Sequence, residues 1–297
     1  MNLLTKVAGA LRAIANHPTN RNHRIKSVFK YGFVQIAAHL VPGDVCVEFP
    51  NHTRLLVSPH MKGAAHYIMP RLCEFEEMAF VMHYLRPGDV FADVGANVGA
   101  FTILAAGVAG ARVVAFEPSP DTYAMLARNI LLNNLQDRAR PVHAVAARAE
   151  GQVQFSYGLG TENHVAAGTA EAGSIAVRAT TLDKELAANP PNLLKVDVEG
   201  FETEVFAGAT NTLRLPGLSA IVMEKNDLGS RYGFDEDRLH REIRDCGFVP
   251  CKYEPFARRL ISTSVQAPSN IIYTRDVAAV NERLRTAPPF TLDDLTV

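Results

Sequence analysis

The stretch Val90-Phe91-Ala92-Asp93-Val94-Gly95-Ala96-Asn97-Val98-Gly99-Ala100-Phe101 decides the fold. Val90–Val94 is a short apolar run of the length and branching expected of a buried strand, and residues 98–106 return at helical spacing. Between them lies a glycine-punctuated turn. Glycine lets the backbone approach a ligand closely there, and the helix that follows aims its first N–H groups at whatever binds. Downstream the strand–helix rhythm repeats, with strands expected at 112–116, 141–146, 192–198 and 218–223. Helices are expected at 122–133, 182–188, from 202 to 207, and at 237–246. Two last strands, 248–253 and 270–273, have no clear helix between them, which suits an antiparallel edge. The pattern predicts an α/β fold: a seven-stranded, mostly parallel sheet with helices on both faces.

The turn departs from the dinucleotide fingerprint. Asn97 stands where the middle glycine of G-x-G-x-x-G would be, and a pyrophosphate needs the least obstructed backbone at that position. NAD and FAD are therefore disfavoured. Asp93, two residues ahead of the turn, suits a ligand that carries an ammonium group. Glu117 ends the next strand, in Val113-Val114-Ala115-Phe116-Glu117-Pro118-Ser119, 18 residues past Gly99. An acid there accepts hydrogen bonds from both hydroxyls of a ribose. A nucleoside with a cationic, amino-bearing far end fits the two acids, and S-adenosylmethionine has that shape. Gly-x-x-x-Gly after a strand can equally be tight helix–sheet packing; Asp93, the turn and Glu117 in this order favour the ligand.

Further blocks follow: Phe116-Glu117-Pro118 with Asn129 and Asn133-Asn134, then Thr181-Leu182-Asp183, then Leu194-Lys195-Val196-Asp197-Val198-Glu199-Gly200-Phe201-Glu202 and Gly208-Ala209. Together with residues 91–99 they resemble the FkbM-type methyltransferases, in order, over roughly residues 72–274. The resemblance implies a Rossmann-like class I methyltransferase that uses S-adenosylmethionine and methylates hydroxyl oxygens of sugars, glycans or secondary metabolites. It makes Asp93, Gly95, Asn97, Gly99 and Glu117 cofactor contacts, and Ala96 and Pro118 beside them are counted with that set.

A hydroxyl acceptor must lose a proton, so the site needs a base or a metal that acidifies the hydroxyl. Along an extended segment Lys195, Asp197 and Glu199 fall on one side, at the carboxyl end of a strand. Asp197 is expected as base or substrate anchor, with Lys195 and Glu199 supporting. Glu224 and Asn270, at neighbouring strand ends, can join them. The alternative is a structural Lys195–Glu199 ion pair, with Glu199 and Glu202 merely opening a helix. His66, His83, His143 and His164 are further base candidates, His164 first because it lies in the polar, hairpin-like excursion 151–178. Asn189-Pro190-Pro191-Asn192 precedes its strand and lacks the closing aromatic of an amino-methyltransferase turn, so it reads as an ordinary loop.

The 297 residues are 47% hydrophobic and 21% charged, an ordinary globular composition. Net charge is −1, which gives no overall bias toward nucleic acid. Yet residues 1–43 hold Lys6, Arg12, Arg21, Arg24, Lys26 and Lys30 and no acid, while the remaining 24 basic and 31 acidic residues sum to −7. Basic residues 6–30 therefore offer weak peripheral contact with an anionic surface. Cys46, Cys73, Cys246 and Cys251 have no CxxC or metal-ligand spacing, so no metal site is expected, although a divalent cation remains compatible with the acids. Reduced thiols, no apolar run long enough to span a membrane, and no signal-peptide core point to the cytoplasm.

Three regions are expected: an N-terminal extension of helices and a β-hairpin (1–84), the S-adenosylmethionine-binding domain (85–275) and a C-terminal tail (276–297). Two other readings stay open. One is a catalytically silent cofactor-binding interaction protein. The other is a nicotinamide-dependent oxidoreductase, disfavoured by Asn97 and by the missing Tyr-x-x-x-Lys pair.

Overall fold

In the computed structural model, which describes residues 3–29, 31–32, 43–58, 72–158, 163–166, 173–226, 228–264, 270–292 and 295–297, an eight-stranded sheet forms the spine. Helix α1 (Leu3–Asn16) stops at His17-Pro18, because proline lacks the N–H that would continue it. The His17 ring instead accepts from the Thr19 N–H and caps a short turn. Strands β1 (Val45–Glu48) and β2 (Arg54–Val57) form the expected antiparallel hairpin, followed by α2 (Phe75–Tyr84).

The strand–helix alternation then runs β3 (Val90–Val94), α3 (Ala100–Ile103), β4 (Arg112–Phe116), α4 (Pro120–Leu132) and β5 (Ala139–Val142). It leaves the sheet for β6 (Val145–Ala146) and the hairpin β7 (Gly151–Ser156)–β8 (Ser174–Thr180), and returns through α5 (Leu182–Glu185). Then come β9 (Leu193–Val196), α6 (Glu202–Ala207), β10 (Ala220–Met223), α7 (Glu236–Asp245), β11 (Val249–Glu254), β12 (Arg259–Ser262), β13 (Ile271–Thr274) and α8 (Val277–Arg285). Strands β14 (Thr291–Leu292) and β15 (Leu295–Thr296) close the chain as a small hairpin.

The strand order is β12-β11-β13-β10-β9-β3-β4-β5. All pairs from β10 to β5 are parallel, and β13, β11 and β12 add antiparallel. The chain leaves β3 for β4 and β5 on one side, then crosses back to β9 and β10 on the other. Ligands bind at such a switch point, outside the carboxyl ends of the strands.

Side chains alternate across the sheet and sort the core into two layers. Phe91, Val113, Leu193 and Val222 face α2, α3, α4 and α8; Ala92, Val114, Leu194 and Ile221 face α5, α6 and α7. Helices therefore cover both faces, as the sequence predicts. The first layer runs on past residues 84 and 276 without a break, taking in Val47, Leu55 and Val57 of the hairpin and Val280, Leu284 and Phe290 near the C-terminus.

The expected seven strands are eight. Strand β12 has one buried side chain, Leu260, between exposed neighbours, so no period of two marks it in the sequence. The expected strand 141–146 is also two elements. Strand β5 stays in the main sheet, while β6 joins β8 and β7 in a separate three-stranded sheet.

Two asparagines of α4 tie the N-terminal hairpin to the domain. Asn129 accepts from the Leu56 N–H (2.6 Å) and donates to the carbonyls of Leu56 (3.0 Å) and Val98 (2.8 Å). Asn133 repeats the pattern on Arg54, accepting at 2.8 Å and donating at 2.7 Å. The two amides stand in for a neighbouring strand along β2. Asn129→Ala is expected to destabilise the protein by about 2–3 kcal/mol, since it leaves both half-buried backbone groups of Leu56 and the buried Val98 carbonyl without their partner. Urea unfolding followed by circular dichroism measures this.

Candidate active site

The turn after β3 is built to hold itself. Gly95 has φ +78°, Asn97 +51° and Gly99 +93°. The N–H groups of Gly95 and Ala96 both donate to the Phe116 carbonyl, at 3.1 and 2.9 Å. The Asn97 N–H donates to Glu117 Oε2 at 3.0 Å, the Val98 N–H to Asn97 Oδ1 at 2.8 Å, and the Gly99 N–H to the Ala96 carbonyl at 2.9 Å. Every N–H from 95 to 99 is thus satisfied within the chain. Asparagine suits position 97 because its short amide tolerates left-handed angles and hydrogen-bonds locally. Glu117 takes the Ser119 N–H on Oε1 at 2.8 Å as well. Burial pushes its carboxyl up to about 7, against the two backbone N–H groups that favour the charged form.

Next to the turn, at the end of β9, Lys195 Nζ lies 2.8 Å from Asp197 Oδ2 and 4.8 Å from the centre of the Phe101 ring. Lys195 is only 3% exposed, so its charge persists through its partners. Burial works against that charge, but Asp197, Glu74 and Asp93 together raise the ammonium's proton affinity. Burial likewise pushes Asp197 up, yet the Lys195 charge and a hydrogen bond with Glu224 hold it below the usual carboxylate range. Glu224 moves the other way, driven up by burial and then by the Asp197 charge, so it is the protonated partner that donates. Past β9 the backbone turns through left-handed Glu199 (φ +56°) and Gly200 (φ +95°). Glu202 pins this loop by accepting from the N–H groups of Val198 (3.3 Å) and Gly200 (3.2 Å).

A cavity of about 600 Å³ opens at the carboxyl ends of β3, β4, β9 and β10. Gly95, Ala96, Asn97, Glu117 and Pro118 line one side; Lys195, Asp197, Glu199 and Glu224 line another. Nine expected residues thus share one space. Two do not line it. Asp93 is fully buried beneath the turn, level with Lys195 on the neighbouring strand, and its Oδ2 accepts from Thr102 Oγ1 at 2.6 Å. Lys195 shares that face and reaches the cavity with its longer side chain, whereas the short Asp93 carboxylate stays beneath the turn on Thr102. Gly99 faces Leu126 of α4, where a Cβ would sit 2.6 Å from Leu126 Cδ1. Glu199 is on the wall, but the ion pair of Lys195 is with Asp197 rather than with it.

The histidines divide cleanly. His83 is buried, and its Nδ1 bonds the Tyr253 hydroxyl at 2.6 Å. His143 is exposed, stacked on Tyr123. The His164 backbone N–H donates to Ser156 Oγ at 2.8 Å, and the flanking Asn163 and Val165, not His164, line the cavity. His66 lies outside the described residues. The Asn192 loop is structural: Oδ1 accepts from the Val90 N–H at 2.9 Å.

Sequence reasoning missed the part of the lining that comes from upstream in the chain. Ala13, Ile14, His17 and Tyr31, from the N-terminal segment, and Cys73 and Glu74, just ahead of α2, line the same cavity as Lys195 and Asp197. Burial lowers the His17 imidazole to about 4, so it is neutral at physiological pH. Burial raises Glu74 to about 8, with Asp197, Glu77 and Asp93 adding to the rise while Lys195 opposes it. Asn270 Nδ2 donates to Glu74 Oε2 at 3.3 Å and fixes that carboxyl. Glu74 sits just ahead of α2 and belongs to no motif of the sequence. Among the described residues, no group of three His, Cys, Asp or Glu side chains is arranged to hold a metal ion, and no helix is long and apolar enough to cross a membrane.

The family model described as the methyltransferase FkbM domain matches residues 93–250, more than half of the chain. Hexuronic acid methyltransferase AglP of Haloferax volcanii is 33% identical over 133 residues, which cover 42% of this chain and 52% of that protein. The match thus spans about half the length of that relative. Among solved structures, the methyltransferase FkbM from Methylobacillus flagellatus KT aligns at TM-score 0.43 and 13% identity, over 83% of this chain and 59% of that one. Precorrin 8w decarboxylase of Methanobacterium thermoautotrophicum aligns at TM-score 0.40 and 18% identity, over 68% and 89%.

Proposed function

The chain belongs to the FkbM family of methyltransferases, and from that premise we propose that it transfers the methyl group of S-adenosylmethionine to a hydroxyl oxygen of a sugar, glycan or secondary metabolite. The observation that carries the choice of cofactor is the closed hydrogen-bonding of residues 95–99, with Glu117 at its edge. A pyrophosphate needs unspent backbone N–H groups where the glycine turn enters its helix. The five of residues 95–99 are already paired within the chain, so the turn itself has none to offer a phosphate, which favours a ligand without phosphate over a nicotinamide dinucleotide. Each Glu117 oxygen accepts one backbone N–H and keeps a lone pair for a ribose hydroxyl. Gly95, Ala96, Asn97, Glu117 and Pro118 would hold the nucleoside half. When bound, S-adenosylmethionine supplies a methyl carbon made electrophilic by its positive sulfur. AglP, named for a hexuronic acid, supports a sugar acceptor.

Beyond binding, the chain must orient an acceptor hydroxyl and take its proton. Asp197, kept anionic by Lys195 and Glu224, is a hydrogen-bond acceptor of low basicity. That suits it to anchoring the hydroxyl better than to deprotonating it. Glu74, in the same cavity lining and fixed by Asn270, has the proton affinity of a base working near neutral pH.

Titration calorimetry with S-adenosylmethionine and S-adenosylhomocysteine tests the cofactor. Wild type is expected to bind both, and Glu117→Ala to lose at least about tenfold in affinity. No heat with either ligand overturns the reading. The base is tested by the pH profile of methyl transfer. Only the Glu74 carboxylate accepts a proton, so turnover is expected to rise with pH and level off above about 8. Glu74→Gln removes that limb and lowers turnover by about 10²–10³ with cofactor affinity unchanged. An unaltered profile in that variant would dismiss Glu74.

A further inference from the structure

Residues 24–29 form a helical turn on the N-terminal segment, and its polarity is inverted. Ser27 faces the protein and is buried, whereas Ile25 and Phe29, one turn apart on the same side, are each 76% exposed. No other large apolar side chain among the described residues is as exposed. The cations Arg21, Arg24 and Lys26 flank the pair, all exposed. Arg21 also stacks its guanidinium 4.8 Å from the centre of the Phe256 ring, itself 52% exposed. No acid occurs in residues 1–43 to neutralise these charges locally. The same segment supplies Ile14, His17 and Tyr31 to the cavity wall, Tyr31 only two residues past Phe29.

We propose that this face, Ile25 and Phe29 ringed by Arg21, Arg24 and Lys26, docks the protein on an anionic phospholipid bilayer. An aromatic and an aliphatic side chain enter the boundary between headgroups and acyl chains, while the cations reach the lipid phosphates. Charge complementarity selects the occupant: a neutral protein partner leaves three cations unpaired, and an anionic surface matches them. Exposed Ile25 favours the bilayer over nucleic acid, because an aliphatic branch offers bases no stacking surface. The inference rests on no choice of cofactor or acceptor, so it stands or falls separately from the catalytic reading.

Co-sedimentation with phosphatidylcholine vesicles containing roughly one-third phosphatidylglycerol tests it, against pure phosphatidylcholine and a single-stranded RNA homopolymer. Wild type is expected to partition onto the anionic vesicles and to be released by salt. Arg24→Ala with Lys26→Ala is expected to weaken partitioning about thirtyfold. Ile25→Ser with Phe29→Ser should abolish it, and both double variants should keep the wild-type melting temperature, since all four side chains are solvent-facing. Three results overturn the proposal: equal partitioning onto neutral and anionic vesicles, undiminished binding by either double variant, or binding to the RNA alone.

Discussion

Gly95→Ala is expected to abolish methyl transfer and to destabilise the protein by more than about 3 kcal/mol, the combined effect of left-handed strain and a core clash. A Cβ at Gly95 would lie 1.8 Å from the Asp197 carbonyl oxygen and 2.9 Å from its carbon. Both are backbone atoms of the segment that carries the Asp197 carboxylate, so no side-chain rotation relieves them. Either the turn lifts off the end of β9 or β9 shifts, and in both cases the two walls of the site lose register. Gly99→Ala is the control. Its Cβ meets the tip of the Leu126 side chain, which can move, so the effect should be smaller. Urea midpoints and activity of the two variants, measured together, check the ranking. A Gly95→Ala protein as stable as wild type would mean that the turn does not abut β9.

Lys195→Met is expected to lower stability by about 3–5 kcal/mol and to eliminate turnover. The methionine fills the volume and keeps the contact with Phe101, so the loss reports on charge. Without the ammonium, Asp197, Asp93, Glu74 and Glu224 share a buried space with no nearby cation. Their folded-state proton affinities then rise above those of the unfolded chain. A carboxyl raised in this way holds its proton in the folded state, so the stability it contributes is present at low pH and lost as pH rises. The variant should therefore approach wild type near pH 5 and fall furthest behind near pH 8, which thermal melts at the two pH values will show. A deficit independent of pH would mean that Lys195 acts by packing alone.

The parallel half of the sheet was legible because each of its strands is an apolar run bounded by turn residues. Strand β12 was not, having one inward side chain. The turn at 95–99, Glu117 and the Lys195–Asp197 pair were readable because strand ends of an open α/β sheet converge on one crevice, so position along the chain implied position in space. Asp93 shows the limit of that logic. Its place on the strand was right, but its short side chain stays beneath the turn, bonded to Thr102. The lining supplied by the N-terminal segment and Glu74 left no local mark at all. Glu74 and His17 lie about 120 and 180 residues from Asp197 in the chain, and only tertiary packing joins them. Asn129 and Asn133 were visible as parts of a familiar block, but that they grip β2 through its backbone could not be read without the hairpin beside them.

The cavity has two sources. The side toward Gly95 and Glu117 comes from the stretch that matches the family, whereas Ile14, His17, Tyr31 and Glu74 precede residue 93. Mutation can recut the second side while the first keeps its shape. Relatives alike across the matched stretch are therefore free to diverge in what they modify, and a chimera joining one member's first 84 residues to another's body should inherit its acceptor preference from the donor of the graft.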